Sequence, residues 1–234
     1  MLQLIFKRPE KHRIYVKKMF VEMVSLGLGS LGLIAIISIF MGAVVTIQTA
    51  SNIDSAFIPK YLVGFTARQT IILEFSSSMI GLILAGKVGS SIASELGTMR
   101  VTEQIDALEI MGINSASYLV GPKIIAAVLI NPFLMYISMF LGIGGAWLAG
   151  ALTGLVNTSD FITGIQYDFD PFSFVYATIK MIFFSFSIAS IAAYCGYYVK
   201  GGALEVAKAS TNAVVYTCIS ILILNYLLTQ LLLI

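Results

Sequence analysis

The stretch Ile124–Ser159, IIAAVLINPFLMYISMFLGIGGAWLAGALTGLVNTS, runs for 36 residues without a charged side chain. As one helix it would measure about 54 Å, too long for a single upright crossing of a hydrocarbon layer about 30 Å thick. Two crossings would need about 40 residues and a turn, so the run is also too short for a pair. Its reading decides whether the chain crosses a membrane five times or six.

Four similar runs flank it. Leu26–Ala50 has no charge in 25 residues, and Ala209–Ile234 has none in 26. Gln69–Gly86 contains only Glu74, and Pro171–Val199 only Lys180. Of the 234 residues, 58% are hydrophobic and 11% charged, whereas a soluble domain carries about 25% charged residues. A soluble chain of this size cannot bury that much apolar surface. The excess faces lipid.

Charge asymmetry settles the count, because cytoplasmic segments collect Lys and Arg. With five spans and the N-terminus inside, segments 1–25, 87–123 and 200–208 hold 11 of the 14 basic residues. The outside segments 51–68 and 160–170 hold only Lys60 and Arg68. Splitting Ile124–Ser159 would move the acidic 160–170 segment inside and Lys200 and Lys208 outside. The sequence therefore predicts an all-α integral membrane fold in a single domain, residues 1–234. Its spans fall at about 26–50, 67–90, 120–151, 171–199 and 209–233. The N-terminus is expected in the cytoplasm and the C-terminus on the far side. The first apolar run is too long for a signal-peptide core and should stay as a helix.

Residues 1–25 are expected to form a cytoplasmic interfacial helix. Val16, Phe20, Met23 and Val24 would share one face, with lysines at the headgroups. Within the long third run, Asn131-Pro132 should kink the helix. Small residues at Gly145/Ala149, Ala146/Gly150 and Gly81/Ala85 suit close helix contacts.

Several chemistries are excluded. His12 is the only histidine, which cannot build a metal site. Cys195 and Cys218 lie in apolar runs without ligand spacing and read as small packing residues. The aromatics lie in apolar runs rather than on a basic surface, which argues against nucleic acid. Gly81-Leu-Ile-Leu-Ala-Gly86-Lys87-Val88 nearly matches a phosphate-binding loop. It has Val88 where a hydroxyl should hold magnesium, and it lies within a span.

The segment Ser94-Glu-Leu-Gly-Thr-Met-Arg-Val-Thr-Glu-Gln-Ile-Asp-Ala-Leu-Glu-Ile-Met-Gly112 is the most informative. It falls between spans two and three on the cytoplasmic side and reads as one amphipathic helix. Glu95, Thr98, Thr102, Asp106 and Glu109 follow helical spacing on one face, and Val101, Ile105 and Leu108 line another. Residues 95–109 carry four acids against Arg100. The inner leaflet is itself anionic, so such a helix suits a protein partner. Glu74 and Lys180 lie within spans, where ionisable groups are costly and point to function. Both are expected about 9–14 Å below the outer boundary, facing a shared polar cavity.

The run Glu95-Leu-Gly97-Thr-Met99-Arg-Val-Thr102-Glu103-Gln104-Ile105 resembles the hallmark of the MlaE/YrbE family, permease subunits of MCE-associated ABC transporters. Gly42…Gln48, Ala85-Gly86-Lys87-Val88-Gly89-Ser90, Glu74 and Lys180 are similar to further family landmarks. The resemblance extends over about residues 10 to 234. The chain departs from the family where Arg-Glu-x-x-Pro often surrounds the buried Glu and here reads Leu73-Glu74-Phe-Ser-Ser77. It departs again at Asn114-Ser115 and Pro122-Lys123.

The resemblance implies a homodimer in a bacterial inner membrane, with two cytoplasmic ABC ATPase subunits and an MCE-domain protein on the periplasmic side. It implies a cargo of phospholipid or a related lipid. The segment 94–112 would be the coupling helix, with Glu95, Arg100, Thr102, Glu103, Gln104 and Asp106 meeting the ATPase. Gln48, Glu74 and Lys180 would line the lipid cavity. ATP and magnesium would belong to the ATPase, leaving this chain without cofactor, metal or catalytic centre. The competing classes are a self-contained secondary transporter, which would favour matched repeats with broken helices, and a non-transporting scaffold. No internal repeat is visible.

Overall fold

In the computed structural model, which describes residues 12–53 and 59–233, five helices carry the long apolar runs. They are α1 (His12–Asn52), α2 (Tyr61–Val101), α4 (Ala116–Thr153), α6 (Phe172–Tyr197) and α7 (Ala203–Leu233). Two short helices lie between them, α3 (Gln104–Ile110) and α5 (Thr158–Gln166). No strand occurs among the described residues. This all-helical, five-span pattern is what lipid requires, since a helix satisfies its backbone amides internally.

Residues 1–11 of the expected interfacial helix lie outside the described residues. From His12 onward the chain enters the first span without a break at 25. No Gly or Pro occurs between positions 12 and 26 to end the helix. The expected apolar face also divides. Phe20 and Val24 are exposed along with Val21, while Val16 and Met23 are half-buried.

The expected single helix over 94–112 is two helices. α2 continues to Val101, Thr102 and Glu103 interrupt it, and α3 follows. Glu103 sits at φ 59°, in the left-handed region, where a helix cannot propagate. The ion pair Arg100 Nη1–Asp106 Oδ1, at 2.6 Å, closes over this break. Residues six apart on a continuous helix point to different faces and could not meet in this way. α4 runs through Pro132 as one helix. Parts of α2 and α4 are wound more widely, as π-helix, at Ile71–Met79, Ala85–Gly89 and Ala116–Val120. The Gly81–Val88 run lies inside α2, so its amides serve the helix and form no phosphate cradle.

The chain divides into two compact units. The first comprises residues up to Ser30, Gly81–Asn131 and Met181–Ile234. There the last turns of α2 pack on α7, with Gly97 against Val206. Gly196 of α6 lies against the backbone of Ala93. Hydroxyls support these contacts, with Ser210 Oγ donating to Ser90 O at 3.1 Å and Ser187 and Ser220 2.7 Å apart.

The second unit comprises Leu31–Ile80 and Pro132–Lys180. Here α1 and α4 come into backbone contact. A Cβ on Gly42 would strike the carbonyl of Gly142, and one on Gly145 would strike that of Ile39. Among lipid tails, association relies on such close van der Waals fits rather than on hydrophobic gain. The first turns of α2 lie on α5 in the same manner, Gly64 meeting Phe161 and Gly164 meeting Tyr61. Val63, Ala67, Ile71, Ala146, Val156 and Phe161 form the core of this unit.

Candidate functional site

Glu74 sits in the wide-turn segment Ile71–Met79 of α2, and Lys180 lies in α6. Lys180 Nζ is 3.0 Å from Glu74 Oε1. It also donates to the Tyr176 hydroxyl at 3.1 Å and to Leu73 O at 3.4 Å, and lies 4.8 Å from the Tyr176 ring centroid. The Ser78 hydroxyl donates to the other Glu74 oxygen at 2.8 Å. The two charges differ in setting, because the Lys180 side chain is 0% exposed and that of Glu74 47%. The cation is interior, and the carboxylate opens from it toward the surface of the chain. Wide turns of this sort re-aim side chains and recur at functional sites.

Of the three residues expected together, Glu74 and Lys180 therefore pair. Gln48 is exposed on α1 and makes no hydrogen bond to either. The second unit also holds a chain of buried hydroxyls. Ser38 Oγ donates to Ser138 Oγ at 2.9 Å, which donates to Ser76 Oγ at 3.4 Å. Arg68, only 3% exposed, gives its guanidinium to the carbonyls of Ile165, Tyr167 and Asp168 at 2.6, 3.1 and 3.0 Å. A cation fits there because the C-terminal end of α5 presents unpaired carbonyls and the negative end of its dipole.

The segment between α2 and α4 sorts its polar residues into two groups. One is tied back to the protein. Glu95 Oε2 lies 2.6 Å from Lys123 Nζ, which also holds Glu22 Oε1 at 2.7 Å. Arg100 and Asp106 hold each other. Glu109 Oε1 accepts from Ser115 at 2.9 Å and from the Tyr197 hydroxyl at 3.0 Å. The other group faces outward. Thr102, Glu103 and Gln104 are exposed, followed by Ile110 at 87% and Met111 at 64% exposure. Ile105 is fully buried beneath them.

Sequence reasoning placed Glu95, Arg100 and Asp106 on a partner-facing surface. The structure pairs them within the chain while leaving 43%, 34% and 46% of their side chains exposed, and Thr102, Glu103 and Gln104 are exposed beside them. Sequence reasoning named Lys123 and Ser115 only as departures from the family pattern and gave no role to Glu22 or Tyr197. A signal for Lys123 existed: it stands at the edge of the longest uncharged run, directly after Pro122.

A family model described as Permease MlaE matches residues 19–231. A probable ABC transporter permease protein of Rickettsia bellii is 37% identical over 218 residues, which is 93% of this chain and 84% of the relative. A similarly named Synechocystis protein is 32% identical over 220 residues, 94% of this chain and 83% of the relative. The chloroplastic protein TRIGALACTOSYLDIACYLGLYCEROL 1 of Arabidopsis thaliana is 30% identical over 221 residues, 94% of this chain and 63% of the relative.

Proposed function

The chain belongs to the MlaE permease family, a multi-pass membrane subunit of the ABC transporter class, and we propose that it moves phospholipid or a related lipid, powered by separate ATPase subunits. The observation that carries this reading is the sorting at the α2–α3 turn. Most of the charges there are paired within the chain, while Thr102–Gln104, Ile110 and Met111 are exposed without an ion pair. An exposed apolar tip beside an acidic turn suits a groove on a protein partner better than an anionic membrane surface. The ATPase would bind ATP and magnesium, and this chain would transmit the movement.

α2 connects the two regions, because it carries Glu74 in its first half and ends at the break beside Glu103. Closure of the ATPase would bias α2 between two arrangements and reshape the surroundings of Glu74 and Lys180. A half-exposed carboxylate backed by a buried ammonium offers both signs of charge to a zwitterionic or polyhydroxyl headgroup. The Arabidopsis relative's name, which contains the lipid trigalactosyldiacylglycerol, supports a lipid cargo. The basic bias of segments 1–25, 87–123 and 200–208 supports a cytoplasmic N-terminus and coupling turn in a bacterial inner membrane. By family likeness the working form is a homodimer with an MCE-domain protein on the periplasmic side.

The test is affinity purification from the native membrane. An ATPase should co-purify, Glu103→Lys should release it, and mass spectrometry should find lipid in the complex. ATP-independent lipid movement by the chain alone would refute the reading in favour of a secondary transporter. An assembled complex that moves no lipid would leave only a scaffold.

A further inference from the structure

Lys123 stands near the start of α4, directly after Gly121-Pro122, with 1% of its side chain exposed. Its ammonium bridges two carboxylates on two other helices, Glu22 of α1 at 2.7 Å and Glu95 of α2 at 2.6 Å. The residues around it complete a joint within the first unit. Lys18 lies 4.2 Å from the centroid of the Tyr118 ring, and Gly121 leaves room for the Tyr15 hydroxyl. Tyr15, Lys18 and Glu22 fall at i, i+3 and i+7, so one face of α1 rests on the start of α4. The charges Lys18, Lys123, Glu22 and Glu95 balance.

An ionic cluster centred on a buried ammonium, with Glu22 12% and Glu95 43% exposed, adds little stability over neutral residues of the same shape, because desolvation and solvent screening offset the attraction. What it adds is geometry. An ammonium held between two carboxylates resists sliding of either helix. Glu95 lies on the same unbroken helical stretch as Val101, so it is about 9 Å of rigid helix from the turn at Thr102. A push on the turn reaches Glu95, then Lys123, then Glu22.

We infer that Lys123 is a positioning residue that makes the N-terminal part of α1 follow the α2–α3 turn, giving the coupling movement an output on the first helix. The inference rests on the proposed coupling role of that turn. α1 is then a moving part of the transport cycle rather than a passive anchor.

The decisive variant is the neutral triple Glu22→Gln/Glu95→Gln/Lys123→Met, which keeps volume and removes every charge of the bridge. It is to be compared with Lys123→Met, which strands two carboxylates, and with Lys123→Arg, which preserves the bridge. In proteoliposomes holding the chain with its co-purified ATPase, fluorescent phospholipid moved and ATP hydrolysed are both measured. The triple variant should assemble with the ATPase and move about 10-fold less lipid per ATP hydrolysed than wild type, whatever its absolute hydrolysis rate. Lys123→Arg should recover at least half of that ratio. Wild-type coupling in the triple variant would overturn the inference. Its failure to accumulate would overturn it too, by assigning the cluster to folding.

A second measurement separates this inference from the transport reading. In a Cys195→Ser/Cys218→Ser background, spin labels at Phe20→Cys and Glu103→Cys report the distance between α1 and the turn. The triple variant should widen that distribution about 2-fold. An unchanged width refutes the tie whether or not the wild type transports lipid. A widened one with no ATP-driven transport by wild type refutes the transport reading alone.

Discussion

The unequal exposure of Glu74 and Lys180 makes a signed prediction. Glu74→Leu leaves the 0% exposed ammonium with only the Tyr176 hydroxyl and the Leu73 carbonyl as neutral partners. Removing one member of a buried pair in this way costs about 3–5 kcal/mol. Lys180→Met leaves a carboxylate that is 47% exposed and still bonded to Ser78. Met fills the same volume, so the expected cost is about 1 kcal/mol, as for a screened pair. The double variant removes both charges and should fall within about 1 kcal/mol of wild type. For a chain of this size 1 kcal/mol moves the melting temperature by about 2–4 °C. Glu74→Leu should therefore melt about 6–20 °C lower and Lys180→Met about 2–4 °C lower. Melting of the purified protein in nanodiscs, followed through Trp147, the only tryptophan, reads the order directly. If Lys180→Met melts lower than Glu74→Leu, the open side of the carboxylate faces hydrocarbon, and the water-accessible site is wrong. If the double variant is as unstable as Glu74→Leu, the charges are not each other's principal partners.

Asn131 is fully buried and neither atom of its amide is hydrogen-bonded, so Asn131→Leu should stabilise the protein by about 1–3 kcal/mol; a lower melting temperature would contradict this. Gly144 and Gly145 are neighbours with opposite surroundings, open space at one and the Ile39 backbone at the other. Gly144→Ala should raise stability by up to about 1 kcal/mol, while Gly145→Ala should lower it by about 1–3 kcal/mol, in the same melting assay. Tyr197→Phe removes one of the two hydroxyls on Glu109, a loss of about 1 kcal/mol. It should speed amide exchange in residues 104–110 about 5-fold, and unchanged exchange would show that α3 is held by packing alone.

Lipid made much of the fold legible in advance. A crossing helix needs a minimum apolar length, so uncharged runs mark the spans, and the cost of a charge in hydrocarbon marked Glu74 and Lys180. Their pairing follows the same logic, since each is the other's nearest remedy. The α2–α3 turn was less legible. Periodicity carries Glu95 through Glu109 along one face, but a single left-handed residue at Glu103 changes every direction after it. Two contacts close around that residue, the Arg100–Asp106 ion pair and the Glu109–Tyr197 bond, and helical periodicity announces neither. The inward role of Glu95 depends on Lys123, 28 positions away. α5 was missed although Asn157-Thr-Ser-Asp160 is a reasonable helix start, because a nine-residue helix leaves a weak trace beside long apolar runs.

The wide turns in α2 alter how this helix must be charted. A helical wheel assumes a constant angle per residue, and Ile71–Met79 and Ala85–Gly89 each depart from it. Side chains before, between and after them therefore keep separate compasses. Glu74 can point to Lys180 while Gly97 lies against Val206 of α7, without any integer number of ordinary turns between them. A substitution scan along α2 will show three tolerance rhythms with two slips of phase. Averaged over its whole length at 3.6 residues per turn, this helix would look featureless.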